Sequence, residues 1–247
     1  MPPSTLHHGA EPLLSIIVPV YNEAGTIAAV LDRLRTVPLP VPREIIVVND
    51  GSTDATRTIL ESLGAVPGVT VVHADRNRGK GSAIRLGLTR AAGSIVAIQD
   101  ADLELDPADL AALVQPIADG TASVVYGSRF LAGPSTAPWL TVAANRFLTG
   151  LTNLLYGASI TDMETCYKIM RTEIARSLGL ESERFDIEPE ITAKLLRSGW
   201  TIAERPVRFD ARSRAAGKKI GWRDGVRAVV VLVSHRFAER PDRARAA

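Results

Sequence analysis

IVAIQDADLE, residues 95–104, joins four apolar residues directly to a run that carries three carboxylates. The apolar half indicates a buried strand, so Asp100, Asp102 and Glu104 emerge at its carboxyl end, where open α/β sheets bind their ligands. Carboxylates packed this closely repel one another, and a hard divalent cation such as Mg²⁺ or Mn²⁺ would relieve the repulsion. The alternative is a solvated acidic turn before a helix that begins at Pro107, and this stretch alone favours neither.

Short apolar runs of the same kind alternate with helix-length segments through the first half of the chain. Strands are predicted at Leu14–Val20, Glu44–Val48, Val69–His73, Ile95–Gln99 and Ser123–Tyr126. Helices are predicted at Gly25–Arg35, Asp54–Leu63, Lys80–Ala92 and Pro107–Ala118. This alternation indicates an α/β fold, with a mostly parallel sheet and helices on both of its faces.

The regular alternation ends after Tyr126. The second half is predicted to contain helices at Trp139–Tyr156, Ile187–Arg197 and Gly221–Phe237, and a strand at Thr201–Phe209. No internal repeat or low-complexity linker divides the chain, so a single domain with an elaborated second half is the simplest arrangement. The expected boundaries are a domain at 12–212, a basic loop and amphipathic helix at 213–238 packed on it, and disordered tails at 1–11 and 239–247.

The composition is that of an ordinary globular protein, with 46% hydrophobic and 23% charged residues. One cysteine, Cys166, excludes an internal disulfide and fits a reducing compartment, and we expect it to be a small buried residue. The first eleven residues lack the basic and apolar regions of a signal peptide. The apolar runs are far shorter than the roughly 20 residues needed to cross a bilayer. We therefore expect a cytoplasmic protein without a transmembrane segment.

The net charge of +2 is unevenly distributed. From Arg205 to Ala247 there are twelve Lys and Arg against four Asp and Glu, a net charge of +8, while the preceding residues carry −6. A basic segment on a mildly acidic body favours an anionic partner: a phosphate group, an anionic membrane surface or a nucleic acid. No recognised nucleic-acid motif accompanies the charge, so we expect no nucleic-acid partner.

Two other predicted strand ends carry polar residues that would face the same rim of the sheet. Pro19–Glu23 follows the first strand, and Asn49–Asp54 follows the second. A carboxylate there, such as Glu23 or Asp50, can accept hydrogen bonds from a nucleotide base or ribose, in addition to any turn or capping role. Asn77–Ser82 is a basic glycine turn whose exposed N–H groups would form a phosphate cradle, although it is neither a Walker A loop nor a dinucleotide fingerprint.

Taken in order, these elements resemble family 2 glycosyltransferases. The matching motifs are Pro19–Glu23, Asn49–Asp54, Gly79–Gly81, Asp100-Ala101-Asp102 and Gly127–Phe130. The second half is similar to the dolichol- or polyprenyl-phosphate mannosyl- and glucosyltransferase branch, through Thr161–Lys168, Phe185–Glu190 and Arg212–Trp222. The resemblance covers residues 13–236 and implies a GT-A-like fold.

The resemblance also implies a role for each matching residue. The nucleotide-sugar would be bound by Pro19, Tyr21, Glu23, Asn49, Asp50, Gly79, Lys80, Asp100, Ala101 and Asp102. Asp50 would contact the base, and Asn49 stands where many relatives have a second Asp. The metal ligands would be Asp100, Asp102 and Glu104, of which the last position often holds Gln in this branch. The acceptor phosphate would be held by Arg129, Arg212, Lys218 and Lys219. The catalytic set would be Asp100, Asp102, Arg129, Asp162 and Glu164.

The implied activity is an inverting transfer of a hexose, dependent on Mg²⁺ or Mn²⁺, from a nucleotide-sugar such as GDP-mannose or UDP-glucose to a polyprenyl phosphate at the cytoplasmic membrane face. A lipid phosphate is mostly dianionic at neutral pH and needs no general base. In the first alternative, the acceptor is a soluble hydroxyl compound, and Asp162 or Glu164 acts as base. In the second, the protein binds nucleotide-sugars as a regulator without turnover, and the intact acidic triplet argues against this.

For two predicted helices, the sequence does not decide whether the apolar side packs in the core or contacts a membrane. Trp139–Tyr156 carries a single charge, Arg146, and we expect most of its apolar positions to be core. A helix at the bilayer interface would look similar. The last helix has an apolar stripe, flanked by arginines, at Val226, Val229, Val230 and Val233. That pattern suits either packing onto the sheet or docking on an anionic membrane, and a membrane-anchored partner is a further alternative.

Overall fold

The computed structural model describes residues 11–63, 66–133, 136–211 and 222–238. One sheet contains β1 (Leu14–Val20), β2 (Arg43–Asn49), β3 (Val69–His73), β4 (Ile95–Ile98), β5 (Val124–Ser128), β6 (Lys168–Arg171) and β7 (Ala203–Pro206). The helices are α1 (Ile27–Thr36), α2 (Thr56–Leu63), α3 (Lys80–Arg90), α4 (Leu110–Ala118), α5 (Trp139–Tyr156), α6 (Thr172–Ser177), α7 (Ile187–Arg197) and α8 (Trp222–Phe237). The predicted tail at 239–247, residues 1–10 of the other tail and most of the basic loop lie outside the described residues.

The strands are arranged in the order β3-β2-β1-β4-β6-β5-β7. Among these seven strands, β6 runs antiparallel to both of its neighbours, and the other pairs are parallel. The predicted α/β fold with a mostly parallel sheet is therefore confirmed. Neither β6 nor α6 was predicted, because β6 has only four residues and begins and ends with Lys168 and Arg171, so no apolar run marks it.

The centre of the sheet determines where a ligand can bind. From β1 the chain adds β2 and β3 on one side of the sheet, and it then adds β4 on the other side of β1. The order in which strands are added therefore reverses between β1 and β4, although these two strands are parallel. These strands are buried on both faces; Ile16, Val47 and Ala97 are fully enclosed by the helices. In such sheets a crevice opens outside the carboxyl ends of the strands at the point of reversal. The segments that follow Val20 and Ile98 lie at this crevice.

Helices α5 and α8 pack beside the sheet against α7, which also contributes Ile187, Ile191 and Leu195 to the main core. Leu148, Ala193 and Leu232, one from each helix, share a small apolar cluster. The expectation that most apolar positions of α5 are core is wrong, because Phe147 and Leu154 are exposed and only one side of the helix faces the cluster. Within the described residues, no helix is both long and apolar enough to cross a membrane.

Candidate active site

A cavity of about 410 Å³ lies at the carboxyl ends of β1, β2 and β4, where the strand order reverses. It brings together most of the site residues suggested by the sequence. Those that line it are Pro19, Tyr21, Glu23, Asp50, Gly79, Lys80, Asp100, Ala101, Asp102, Glu104, Arg129 and Glu164. Asn49 and Asp162 are not among the lining residues.

The acidic loop after β4 is an ordered turn that forms part of the cavity wall. The Oδ1 atom of Asp102 accepts the Glu104 N–H at 3.1 Å. Leu103 has a φ of 63°, which few non-glycine residues adopt, and such strain is found preferentially at functional sites. The Ala101 carbonyl accepts a 2.7 Å hydrogen bond from the Thr26 hydroxyl, directly before α1. The carboxylates are thus held at the cavity by the fold.

The oxygen donors of this loop suit a hard cation, but they do not converge on a preassembled cluster. Across the described ranges, no three His, Cys, Asp or Glu side chains form a group that could hold a metal ion. Asp100 instead pairs with the Lys80 ammonium at 2.8 Å. Burial raises the pKa of Asp100, and the contact with Lys80 outweighs it and holds that pKa below its usual range. Since Mg²⁺ is commonly held by one or two carboxylates together with substrate phosphates, Asp102 and its neighbours fit a cation that arrives with a diphosphate.

Asp50 holds the basic glycine turn in place. Its carboxylate accepts the backbone N–H groups of Arg78 at 2.9 Å and Gly79 at 2.6 Å, and it is almost fully buried while still lining the cavity. The N–H of Gly81 donates to the Arg184 carbonyl at 3.2 Å. These three N–H groups are already used within the protein and are not available to a phosphate, whereas Lys80 of the same turn does line the cavity.

Close packing explains the two glycines of this turn. Gly79 has a φ of +108°, and a Cβ built there would lie 2.6 Å from the Glu183 carbonyl oxygen. A Cβ on Gly81 would lie 2.3 Å from the Ser182 carbonyl oxygen. Any side chain would therefore push the segment before α7 away from the start of α3. The glycines bring these two segments together at the cavity, where Lys80 is then positioned.

Asn49 has a structural position instead of the expected contact with the nucleotide. Its Nδ2 lies 3.0 Å from Nδ1 of His73, and its Oδ1 accepts the Ser52 N–H at 3.0 Å. The side chain is buried and connects β2 with β3 and with the turn that follows. Asp50, the residue directly after β2, is the one that lines the cavity.

A buried network of charges lies beside the acidic loop. Glu188, in the first turn of α7, contacts Lys80 at 2.9 Å through one carboxylate oxygen and Lys168 at 2.7 Å through the other. Lys80 also contacts Asp100, so the chain of contacts reaches the acidic loop. Lys168 is fully buried and donates to two carbonyl groups of the loop before β6, the loop that carries Glu164. The network therefore joins three parts of the cavity wall.

Glu188 was not predicted as a site residue, although it lies within a motif that carried the resemblance. The available signal was its position: it is a carboxylate between Ile187 and Pro189, both of which are buried. A charged residue in such a setting is buried only when it is paired. Further cavity residues that sequence reasoning missed include Cys166, Arg184, Phe185, Phe209 and Asp224.

Arg129 is oriented by Asp162. Its Nε and Nη2 atoms each donate to the Asp162 carboxylate at 2.7 Å, and its backbone N–H adds a third bond at 3.0 Å. Asp162, which was expected in the catalytic set, is fully buried and does not line the cavity, so its carboxylate contacts Arg129 instead. The guanidinium also lies 5.2 Å from the ring centroid of Phe209. A bidentate pair leaves three guanidinium N–H groups, enough to bind a phosphate.

Glu164 combines burial with a raised pKa. Burial raises its pKa to about 7, against the opposing effect of the Lys168 ammonium. Its buried Oε1 atom has no hydrogen-bond partner in the part of the chain that the structure describes. A carboxylate of this kind at a cavity wall is suited to accept a proton near neutral pH. The remaining predicted residues, Arg212, Lys218 and Lys219, lie outside the described residues.

The position of the cavity and its mixed lining define a class of protein. Carboxylates of the acidic loop share the cavity with Lys80 and Arg129, at the ligand-binding edge of an α/β sheet. This is the arrangement of an α/β protein that binds a phosphorylated compound. Residues 15–179 match the model of glycosyl transferase family 2, and the chain belongs to this family. The sequence-based assignment to a glycosyltransferase is thereby confirmed.

Solved structures confirm the GT-A type of fold. Glucosyl-3-phosphoglycerate synthase from Mycobacterium tuberculosis in complex with UDP superposes with a TM-score of 0.73 at 22% identity, covering 94% of this chain and 82% of that one. The complex of the same enzyme with Mn²⁺, UDP-glucose and phosphoglyceric acid gives a TM-score of 0.71 at 20% identity, covering 94% and 81%.

The names of several relatives describe the transfer of a sugar to a lipid phosphate. The undecaprenyl-phosphate mannosyltransferase of Micrococcus luteus is 31% identical over 219 residues, which cover 83% of this chain and 86% of that protein. The polyprenol monophosphomannose synthase of Mycolicibacterium smegmatis is 27% identical over 216 residues, covering 83% and 80%. The dolichol-phosphate mannosyltransferase of Pyrococcus furiosus is 27% identical over 212 residues; these cover 84% of this chain and only 59% of that protein.

Proposed function

We propose that this protein transfers a hexose from a nucleotide-sugar to a polyprenyl phosphate, with inversion and with the help of Mg²⁺ or Mn²⁺. One observation carries the proposal: a single cavity contains the carboxylates of the acidic loop and, apart from them, a guanidinium held in place by Asp162. Such a lining suits two anionic ligands, a diphosphate that comes with a cation and a separate phosphate. The names of the relatives support the same acceptor class.

The proposed reaction is one displacement at the anomeric carbon. A phosphate oxygen of the acceptor forms a bond to that carbon while the bond to the donor diphosphate breaks, and the nucleoside diphosphate leaves with the bonding electrons. Since the second pKa of the acceptor phosphate is about 6, the dianion attacks without losing a proton. A single displacement inverts the configuration at the anomeric carbon. The bound metal ion would stabilise the charge on the leaving diphosphate.

Each group of cavity residues receives a role in this proposal. Asp50 contacts the nucleotide base, and Asp100, Asp102 and Glu104 hold the cation. Arg129 binds the acceptor phosphate in the orientation that Asp162 fixes. The basic segment beyond the described residues adds further contacts to that phosphate through Arg212, Lys218 and Lys219. Residues 12–212 form the catalytic domain, 213–238 pack on it, and the reaction takes place at the cytoplasmic face of the membrane.

A transfer assay tests this function. The purified protein is incubated with Mg²⁺ or Mn²⁺, a panel of sugar nucleotides that includes GDP-mannose and UDP-glucose, and a short-chain polyprenyl phosphate. We expect a lipid-linked sugar and an equal amount of released nucleoside diphosphate, and no product in EDTA. Transfer only to soluble hydroxyl compounds would contradict the lipid acceptor. Tight Mn²⁺-dependent nucleotide binding without release from any donor would instead support a binding protein.

Glu164 favours a second candidate, transfer to the hydroxyl group of a soluble acceptor. A hydroxyl must lose its proton during the attack, and Glu164 has a pKa of about 7 and a buried oxygen without a hydrogen-bond partner among the described residues. A base acts in its ionised form, so the rate would rise with pH through this pKa.

The pH dependence of a Glu164→Gln variant separates the two candidates. For a hydroxyl acceptor, we expect kcat to fall by roughly 10²–10⁴-fold, and its rise with pH near 7 to disappear. For a phosphate acceptor, we expect a loss below about tenfold. The remaining pH dependence should then follow the acceptor phosphate, with a pKa of about 6. The measurement is kcat from pH 5 to 9 for both proteins with each acceptor, and a large loss with the lipid phosphate would contradict the base-free displacement.

A further inference from the structure

Two neighbouring helices leave an apolar face exposed to solvent. On α5 the exposed side chains recur every two turns, and on α8 they follow a single helical stripe. We define the α5/α8 face by Leu140, Phe147, Leu154, Val226, Val230 and Val233, all of which are exposed. Leu154 is 82% exposed and Phe147 is 64% exposed, which is unusual for side chains of this size. Several large apolar side chains exposed on two neighbouring helices are a feature of interaction sites.

The packing of the two helices fixes this face on the outside. The hydroxyl of Tyr156 donates to the Leu232 carbonyl at 2.7 Å, and Nε of Arg236 donates to the Leu155 carbonyl at 2.6 Å. These bonds join the last turn of α5 to the C-terminal half of α8. The inward sides of the helices, including Leu148, pack into the cluster shared with α7. The exposed stripes cannot turn inward without breaking both the cluster and the hydrogen bonds.

The charges around the face identify the kind of surface that would cover it. Asp224 is the sole acidic residue in α5 and α8, which together contain the exposed arginines Arg146, Arg223, Arg227 and Arg236. The segment from Arg205 to the end of the chain has a net charge of +8. Apolar side chains flanked by arginines fit the surface of an anionic bilayer. A second copy of the chain fits less well, because pairing the same face with itself would bring arginines against arginines.

The face begins at the mouth of the cavity. Asp224, in the first turn of α8, lines the cavity together with Arg129. The guanidinium of Arg146 on α5 lies 5.7 Å from the ring centroid of Phe130, the residue next to Arg129. A bilayer against the two helices would therefore be next to the guanidinium that is available for a phosphate.

We propose that the α5/α8 face docks on an anionic lipid bilayer and presents the cavity mouth to the membrane surface. Aromatic side chains at the ends of the two helices, Trp139 and Phe237, are exposed and suited to the headgroup region. The docking itself does not depend on the acceptor. The route of the acceptor does rest on the proposed function: its polyprenyl chain stays in the bilayer while its phosphate reaches Arg129.

Vesicle binding tests the docking without any substrate. The wild type and the double variant L154E/V230E are mixed with vesicles of phosphatidylglycerol and phosphatidylcholine, or of phosphatidylcholine alone, and bound protein is measured by sedimentation. The matched control is A28E/A29E, which adds the same two charges at exposed positions of α1. We expect L154E/V230E to bind anionic vesicles more weakly by roughly tenfold or more, and the control to bind like the wild type. Wild-type binding should weaken with salt and on neutral vesicles.

Three results would overturn the proposal. The first is equal binding of L154E/V230E and the wild type to anionic vesicles, and the second is equally tight wild-type binding to neutral vesicles. The third is a wild-type dimer that L154E/V230E converts to a monomer while neither protein binds vesicles, since a second copy would then cover the face. Circular dichroism verifies folding, and L154S/V230S replaces the double variant if it does not fold.

The assay with a short-chain polyprenyl phosphate, without vesicles, separates docking from the acceptor proposal. L154E/V230E should retain wild-type transfer in that assay, because neither residue lines the cavity. If the wild type docks through this face but transfers no sugar to any polyprenyl phosphate, the docking stands and the proposed acceptor is wrong.

Discussion

Replacing Asp102 with Asn is expected to lower the affinity for the nucleotide-sugar in Mn²⁺ by roughly 100-fold, with no change in the absence of metal. Asp102 shares the cavity with Asp100 and Glu104, and Asp100 is already paired with Lys80. Beside this pair, Asp102 and Glu104 bring carboxylates of the same loop to the cavity, and an amide at position 102 does not replace the charge offered to a cation. Titration calorimetry with UDP-glucose or GDP-mannose, in Mn²⁺ and in EDTA, measures the effect.

Asp106→Asn is the matched control for this experiment. Asp106 lies on the same loop, does not line the cavity, and caps the 3₁₀ turn at Pro107–Asp109 by accepting the Ala108 N–H at 3.0 Å. Since Asn is an equally good cap, the control should keep both its stability and its donor affinity. Unchanged donor affinity of the Asp102 variant in Mn²⁺ would exclude Asp102 as a metal ligand.

A Glu104→Gln variant tests the third carboxylate of the loop in the same binding experiment. The resemblance to the polyprenyl-phosphate branch implies that Gln is tolerated at this position, so we expect a loss of roughly tenfold, smaller than that of Asp102→Asn. Urea unfolding in EDTA should give the same free energy for both variants and the wild type, within about 0.5 kcal/mol. A loss of affinity without a loss of stability then separates metal binding from damage to the loop.

The sequence predicts the central elements of this fold well because their signal is local. β1, β3, α5 and α7 begin and end at the predicted residues. A strand buried on both faces is largely apolar, so β1 stands out in the sequence although it contains the buried Ser15. β6 has no such signal, because its stability comes from pairing with β4 and β5, which are distant in the chain.

The surroundings of a helix are harder to predict than its bounds. α5 was placed correctly, but its apolar residues are distributed over more than one side, and its neighbours decide which side is covered. α7 and α8 cover the side that contains Leu148 and leave Phe147, the preceding residue, exposed. Periodicity therefore established the helix but not its buried face.

In the candidate site too, the sequence predicts where a residue lies better than it predicts which residues it contacts. Asp50, Lys80 and Asp100, which the motifs singled out, all line the cavity, because the segments that follow parallel strands meet at one edge of the sheet. Their partners come from distant segments. The glycine turn packs against residues 182–184, and Glu188 reaches Lys80 from the second half of the chain. In the sequence alone, the turn has the pattern of a phosphate cradle and Glu188 that of an ordinary helix residue.

A Glu188→Gln variant is expected to unfold with a free energy lower by about 3 kcal/mol and to turn over roughly 10–100-fold more slowly. The buried Lys168 loses the carboxylate that lies 2.7 Å away, and Lys80 loses one of its two anionic partners. The stability loss follows from the unpaired charge on Lys168. The loss of turnover follows from the altered position of Lys80 in the cavity wall. Urea unfolding and kcat at saturating donor measure the two effects.

Glu190→Gln separates the two effects, because it removes a buried carboxylate from the same helix away from the cavity. Glu190 pairs with Lys194 at 2.6 Å and does not line the cavity. We expect lower stability with unchanged kcat, and equal kcat losses in the two variants would show that Glu188 contributes only to folding.

A double-mutant cycle of Glu188→Gln with Lys80→Met tests whether Glu188 affects turnover through Lys80. Since Lys80 connects Glu188 with Asp100, the two substitutions should couple by about 1–3 kcal/mol in activation free energy. Additive effects would mean that Glu188 acts through Lys168 and the loop of Glu164.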